Sequence, residues 1–324
     1  MNSPYPATSA ARDAWILARR PERNAVSHDA AYGAFIELEP DAAGVVRTVA
    51  TVLLSSRECP YRCLMCDLWK NTTGASVASG AVVRQISAAL GTPPLAAAGA
   101  TTIKLYNSGS FFDSGAVPPD DYGAIAALLA PFDNAIVECH PTLVGPQAPR
   151  LAAMMRGSLE VAMGLEVADD ALLGALNKRL TLAMYARAAA FLGAAGIAHR
   201  AFVLVQPPFV RPEAAAELAV RTASFAFEHG ASAVSLIPVR PGNGALEELM
   251  SSGDFSRPDL ATLERTHEAA LALTGGRVFA DTWDLGQFSA CASCFTRRAG
   301  RMHEMNLTQR ALPRVACAAC GNNP

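Results

Sequence analysis

Short apolar runs of β type recur along the chain, separated by longer Ala- and Leu-rich stretches with helical periodicity. Strands are predicted over residues 48–54, 101–106, 135–138, 159–165, 202–205 and 233–237. Helices are predicted between them over residues 82–90, 122–129, 182–192 and 213–227. Strands alternating with helices at this spacing indicate βα units and a parallel sheet. Residues 47–240 are fewer than the roughly 250 that a closed eight-stranded barrel usually needs. The alternation fits an α/β fold of one of two kinds, an open (βα)6 barrel or a doubly wound open sheet. A late run over residues 277–280 predicts one more edge strand. Before residue 47, residues 11–20 read as an amphipathic helix and residues 34–39 alternate like a strand, both expected to pack against the barrel.

Composition narrows the class. Hydrophobic residues make up 51% of the 324, enough for a large core, while charged residues are 17% and the formal net charge is -2. No global field recruits nucleic acid or an anionic membrane, which weakens a tRNA substrate without removing a local basic patch. The Ala-rich stretch 188–198 is too short to span a bilayer and is flanked by Arg187 and His199. The run Met1 to Pro6 lacks a basic start followed by an apolar stretch, so no secretion signal, no membrane association and a cytoplasmic location are expected.

The eight cysteines are not spaced as a disulfide framework: seven form two clusters, and Cys139 stands alone. Cys59, Cys63 and Cys66 follow the first run in a C-x3-C-x2-C pattern, on the loop Arg57-Glu58-Cys59-Pro60-Tyr61-Arg62-Cys63-Leu64-Met65-Cys66-Asp67. Thiolates are the soft ligands that iron–sulfur clusters need. Structural clusters and tetrahedral zinc sites take four ligands, so three on one loop imply an open coordination position. Three incidental buried cysteines, or part of a zinc site completed elsewhere, are the plainer alternative; the order, spacing and preceding strand speak against it.

On these residues the chain resembles the radical S-adenosylmethionine (SAM) superfamily, whose C-x3-C-x2-C loop follows the first strand of a partial barrel. The resemblance covers about residues 48–245. It implies a partial (βα)6 TIM-type barrel over 47–284, with a small N-terminal extension over 1–46 and a Cys-rich tail over 285–324. It also implies a 4Fe-4S cluster on Cys59, Cys63 and Cys66, SAM on the open iron, and an external electron donor of flavodoxin or ferredoxin type. The family cleaves SAM reductively to a 5′-deoxyadenosyl radical, which abstracts hydrogen from a substrate.

Ligand sites in parallel βα folds lie at the C-terminal ends of the strands. In the family a glycine-rich segment after the second strand holds the SAM amino group through main-chain carbonyls. Asn107, Ser108 and Gly109 stand there, departing from the usual Gly-Gly-Glu form. Residues 164–166 and 176–181 look like the subgroup with methylthiotransferases, elongator-type enzymes and coproporphyrinogen dehydrogenases. On that likeness Glu166 meets the SAM ribose and Lys178 the SAM carboxylate, with Arg179 as a substitute for Lys178. Thr181 is equally readable as a helix N-cap. Adenine is expected against backbone atoms around Ile237, and Arg240 is expected near the same mouth. His140 is open between substrate contact and a structural cap. No catalytic side chain is assigned, and the substrate is open between a small molecule and a tRNA.

The tail carries a second set, Cys291, Cys294, Cys317 and Cys320, as two C-x2-C pairs. Spacing alone is that of a zinc ribbon. A second 4Fe-4S cluster fits four thiolates as well and would serve sulfur insertion or electron transfer. Residues 285–324 show little apolar periodicity, and the basic run 297–301 is expected to be a solvated face. Two further alternatives are a zinc-ribbon-bearing tRNA-modifying protein of the same family and a non-catalytic iron–sulfur/zinc scaffold.

Overall fold

The structure is a computed structural model and describes residues 3–321. One eight-stranded sheet organises it: β1 (Gly33–Pro40), β2 (Val46–Leu53), β3 (Thr102–Tyr106), β4 (Asn134–Cys139), β5 (Ser158–Glu166), β6 (Ala198–Val205), β7 (Ala233–Pro238) and β8 (Arg277–Ala280). The strands lie in sequence order; β1 and β2 form an antiparallel pair, and each later neighbour is parallel. A doubly wound sheet reverses strand order at a switch point. The unbroken order excludes it, and the sheet curls as a partial barrel.

The helices are α1 (Ser9–Leu17), α2 (Ala81–Leu90), α3 (Pro93–Ala96), α4 (Tyr122–Leu129), α5 (Gln147–Ala152), α6 (Asp170–Ala175), α7 (Leu182–Ala194), α8 (Pro212–Glu228), α9 (Ala245–Ser252), α10 (Leu260–Leu271) and α11 (Ala292–Thr308). The longer outer helices present one apolar stripe each. On α8 that stripe is Ala215, Leu218, Ala219, Ala223 and Ala226, at helical spacing. No helix among the described residues is long and apolar enough to cross a membrane.

The inward face of the strands is charged where the runs looked apolar. Along β5, Glu160 lies near the N-terminal end and Glu166 at the C-terminal end, about 20 Å apart at the usual strand rise. At the floor, Arg200 of β6 meets Glu160 at 2.7 Å and Glu39 of β1 at 3.3 Å, and Lys104 of β3 also pairs with Glu39. Burial opposes the charge on Glu39, but Arg200 and Lys104 outweigh it and hold that carboxyl down to about 2.

α11 was not anticipated. It packs beside β8 and β1, and its Asn306 and Gln309 amides each make a two-way pair with the β8 backbone, at Ala280 and Val278. These side chains satisfy an edge that would otherwise be open. The basic run is not a solvated face throughout: Arg298 and Arg301 are buried, paired with Glu264 and Glu268 of α10 at 2.6 Å each.

Candidate active site

The cysteine loop leaves β2 and crosses the mouth of the barrel. Buried Gln85 of α2 pins its start by pairing with both backbone groups of Ser55, at 2.8 Å each. Farther along, the Leu64 N–H donates to the Leu176 carbonyl (2.9 Å), the Asn177 amide donates to the Arg62 carbonyl (2.7 Å), and the Asn243 amide donates to the Leu64 carbonyl (2.8 Å). Loops after β5 and β7 thus hold the segment that carries Cys63 and Cys66. All three thiols are free, and Cys63 is buried. Burial pushes each thiol above its ordinary range, Cys63 to about 11. Thiolates there need a cationic partner, and a metal centre is the partner for which three such ligands fit. Cys139 is no fourth ligand: its thiol donates to the His140 carbonyl at 3.2 Å.

Backbone in the left-handed region gathers at this mouth. Ser108, Glu166, Asn177, Arg179, Gln206 and Phe209 all have φ between 54° and 68°. Non-glycine residues rarely adopt it, and such positions cluster where structure over-determines the backbone. The turn at Glu166 coincides with a register shift between Gly164 and Glu166 against β6.

Lys178 Nζ lies 2.5 Å from Glu166 Oε1, with both side chains buried. Burial opposes the Lys178 charge, but Glu166, with Cys63 and Cys59 nearby, raises its affinity for the proton. The two residues expected at separate ends of SAM therefore pair with each other. Arg179 is turned away, held 2.7 Å from Asp13. Thr181 accepts from the Met184 N–H and caps α7. His140 Nε2 donates to the Lys178 carbonyl (2.9 Å), while its Nδ1 faces Thr142 Oγ1 (2.7 Å) and Tyr61 stacks on the ring at 4.1 Å. His140 is a buried link between the cysteine loop and the Lys178 loop, and burial first, then Lys178, lowers it to about 3.

Asn107 is buried, with Ser56 on its amide nitrogen and its carbonyl, and its Oδ1 has no protein partner. Ser108 Oγ meets the Tyr32 hydroxyl at 2.8 Å. Gly109 sits against the cysteine loop, where a Cβ would come 3.6 Å from that of Cys59. Beneath this segment lies Glu138, a strand-end residue to which sequence reasoning assigned no role. Its buried carboxylate faces the N–H groups of residues 107–109, and burial outweighs them, raising it to about 7. Ile237 is half-buried on β7, opposite Leu204. Arg240 is engaged by the segment just after β8, 2.8 Å from Asp281 and 2.6 Å from the Trp283 carbonyl.

The N-terminal segment was also unanticipated as part of the site. α1 meets the segment after β5, and the residues that follow α1 pair with the cysteine loop. Arg20 and Arg23 pair with Glu58, Arg12 reaches the Gly174 carbonyl, and the Tyr5 ring packs on Trp15 and Phe209. In the tail, Cys291 and Cys317 Sγ are 4.0 Å apart, Cys294 and Cys320 Sγ 3.9 Å, and all four lie within 4.8 Å of one another.

No family model matches the chain. An uncharacterized protein of Methanocaldococcus jannaschii is 23% identical over 219 residues, 64% of this chain and 60% of its own length. The archaeosine synthase subunit beta of Thermococcus kodakarensis is 29% identical over 187 residues, 53% of this chain and 56% of its own. The chain thus spans less than two thirds of either relative. Among solved structures, a radical SAM methyltransferase from Sphaerobacter thermophilus matches with a TM-score of 0.53 and 20% identity, covering 72% of this chain and 66% of that one. The chain has the radical SAM fold.

Within that fold, Cys59, Cys63, Cys66, Asn107, Ser108, Gly109, Glu166 and Lys178 come from four separate stretches to one mouth. Local sequence signals single out each of them. Glu138 lacks such a signal, and α1 showed in the sequence as a helix but not as part of the site, because their partners are remote in sequence.

Proposed function

We propose that the protein is a radical SAM enzyme acting at the barrel mouth. The observation that carries this is the three-cysteine loop, clamped across the mouth by Leu176, Asn177 and Asn243. Cys59, Cys63 and Cys66 would hold a 4Fe-4S cluster, with SAM on its open iron. When bound, these groups supply reductive cleavage to a 5′-deoxyadenosyl radical that takes hydrogen from a substrate C–H bond, with the electron from an external flavodoxin- or ferredoxin-like donor.

The chain's own residues bind and orient. Glu166 is placed to accept from ribose hydroxyls and Lys178 to meet the SAM carboxylate, once SAM enters between them. Gly109 is placed to let backbone carbonyls approach the SAM amino group, and Ile237 to flank adenine. Glu138 orients the 107–109 backbone from below. Of the two substrate classes, a small molecule or a tRNA, the likeness to an archaeosine synthase subunit favours an RNA nucleoside.

Replacing Cys59, Cys63 and Cys66 together by alanine tests the reading. Iron at this site and 5′-deoxyadenosine formation under a strong reductant should both be lost, while the tail metal stays. Undiminished deoxyadenosine production would end the proposal.

A further inference from the structure

The tail cysteines are set apart from the mouth chemistry by their spacing. A tetrahedral ion with metal–sulfur bonds of about 2.3 Å has sulfurs about 3.8 Å apart, from the geometry of the tetrahedron. Two of the six separations, 3.9 and 4.0 Å, lie close to that edge length, and the full set stays inside 4.8 Å. A four-iron cubane puts each thiolate on its own iron, outside a corner, which spreads the sulfurs well beyond such spacing. An all-thiolate tetrahedron is a zinc or iron site by ligand chemistry, and zinc is the common structural occupant.

The chain between the two pairs is built to bring them together. α11 is 17 residues long, about 25 Å at the helical rise. Residues 309–317 then return alongside it, a span that an extended chain of about 3.3 Å per residue covers. Arginines hold the return in place: Arg301 Nε of α11 donates to the carbonyls of Leu312 (3.1 Å) and Pro313 (2.8 Å), and Arg314 of the return pairs with Glu268 of α10 at 2.6 Å. At its far end, α11 carries the two amides that cover the β8 edge. Arg277 of β8 meanwhile donates to the Pro40 carbonyl of β1 at 3.0 Å, so the same helix lies where the open sides of the sheet approach.

We propose that Cys291, Cys294, Cys317 and Cys320 hold one zinc ion, and that this ion is a clasp keeping α11 against the open edge of the barrel. This goes beyond the reaction proposed above and does not depend on it. The ion fixes both ends of the helix-and-return hairpin, and the arginine pairs hold its middle. Metal at such a site supplies folding free energy directly to the segment it closes.

The test uses the full chain, purified anaerobically and counted for iron, sulfide and zinc. One zinc per chain, lost in Cys317→Ser/Cys320→Ser while iron and sulfide stay unchanged, is expected. Four extra irons with sulfide, one extra iron without sulfide, or no metal dependent on these cysteines would each overturn the zinc assignment. Replacing zinc by cobalt in the unmodified chain should give the visible bands of a tetrahedral tetrathiolate, and an octahedral spectrum counts against it. Hydrogen exchange tests the clasp. The Val278 and Ala280 amides, which donate to Gln309 and Asn306, should exchange at least tenfold faster in chelator-treated chain and in the double variant. Unchanged protection at those two amides would overturn the clasp even with zinc present. Failure of the enzyme reading shows instead as missing iron at Cys59, Cys63 and Cys66, a separate count.

Discussion

The Lys178 ammonium occupies space that a side chain on Gly164 would need: a Cβ built there falls 2.5 Å from Lys178 Nζ and collides with Glu166 Oε1 as well. The pair across the mouth therefore depends on a glycine in the middle of a strand, where glycine otherwise weakens pairing. Gly164→Ala should cost about 1–3 kcal/mol, the usual penalty of overpacking. It should also weaken SAM binding by about tenfold or more. Denaturant unfolding and isothermal titration check the two halves; wild-type values for both would show that the pair has room to shift.

The Lys178–Glu166 pair is buried, so removing one partner strands the other. Glu166→Ala or Lys178→Ala should each destabilise the chain by about 3–5 kcal/mol. Each should also reduce SAM affinity about tenfold or more, as expected for a lost hydrogen bond to a charged group at roughly 1.5–3 kcal/mol. A Glu166→Gln/Lys178→Met double variant leaves no lone charge and should regain most of the stability without the affinity. If it regains both, the pair holds the fold and does not contact SAM. A double-mutant cycle by titration and urea unfolding separates the cases.

Legibility along this chain follows the range of the interactions. The Cys59, Cys63 and Cys66 loop was readable because its ligands are neighbours in sequence and its strand directly precedes it. The parallel strands showed as apolar runs, and residues 277–280 were recognised as an edge strand from the same signal. The charged inward positions were not placed, since Arg200 is tolerable only because Glu160 and Glu39 reach it from other strands. α11 was missed for a related reason. Its buried face includes Arg298 and Arg301 beside Cys294, Met302 and Met305, so hydropathy shows no clean stripe. The outcome for Lys178 is instructive: its residue type and loop pointed to an anionic partner, and the partner found is Glu166 of the same site.

Three buried histidines make the fold sensitive to acid. His140 is lowered to about 3, and His199 and His267 to about 4 each, burial being the largest cause in all three. Their unfolded forms bind a proton near 6.5, so between about 4 and 6.5 the unfolded chain holds protons that the folded chain does not. Their stabilisation is full above pH 6.5 and is lost as pH falls, by up to about 1.4 kcal/mol per pH unit for each group. His140→Asn keeps a capping side chain and should reduce this slope by about a third. Urea unfolding from pH 5 to 7.5 provides the comparison, and an unchanged slope in the variant would remove His140 from the account.

Glu138 acts in the opposite sense and links stability to the proposed SAM site. Its carboxyl is raised to about 7 in the fold, above an unfolded value near 4.5. A raised acid contributes stability below the unfolded value and loses it as pH climbs through the folded one. Ionised Glu138 is thus a cost near pH 8, yet it faces the amides of residues 107–109 and fixes the backbone of that segment. Glu138→Gln keeps the shape and removes the titration. At pH 8 the variant should unfold at higher urea than the wild type, while near pH 4.5 the two should converge. SAM affinity should fall in the same variant, because one carboxylate oxygen facing the 107–109 amides becomes a donor. The combination of greater stability at pH 8 with weaker binding is what a positioning role requires. Greater stability with unchanged affinity would leave Glu138 as a buried acid without influence on the site.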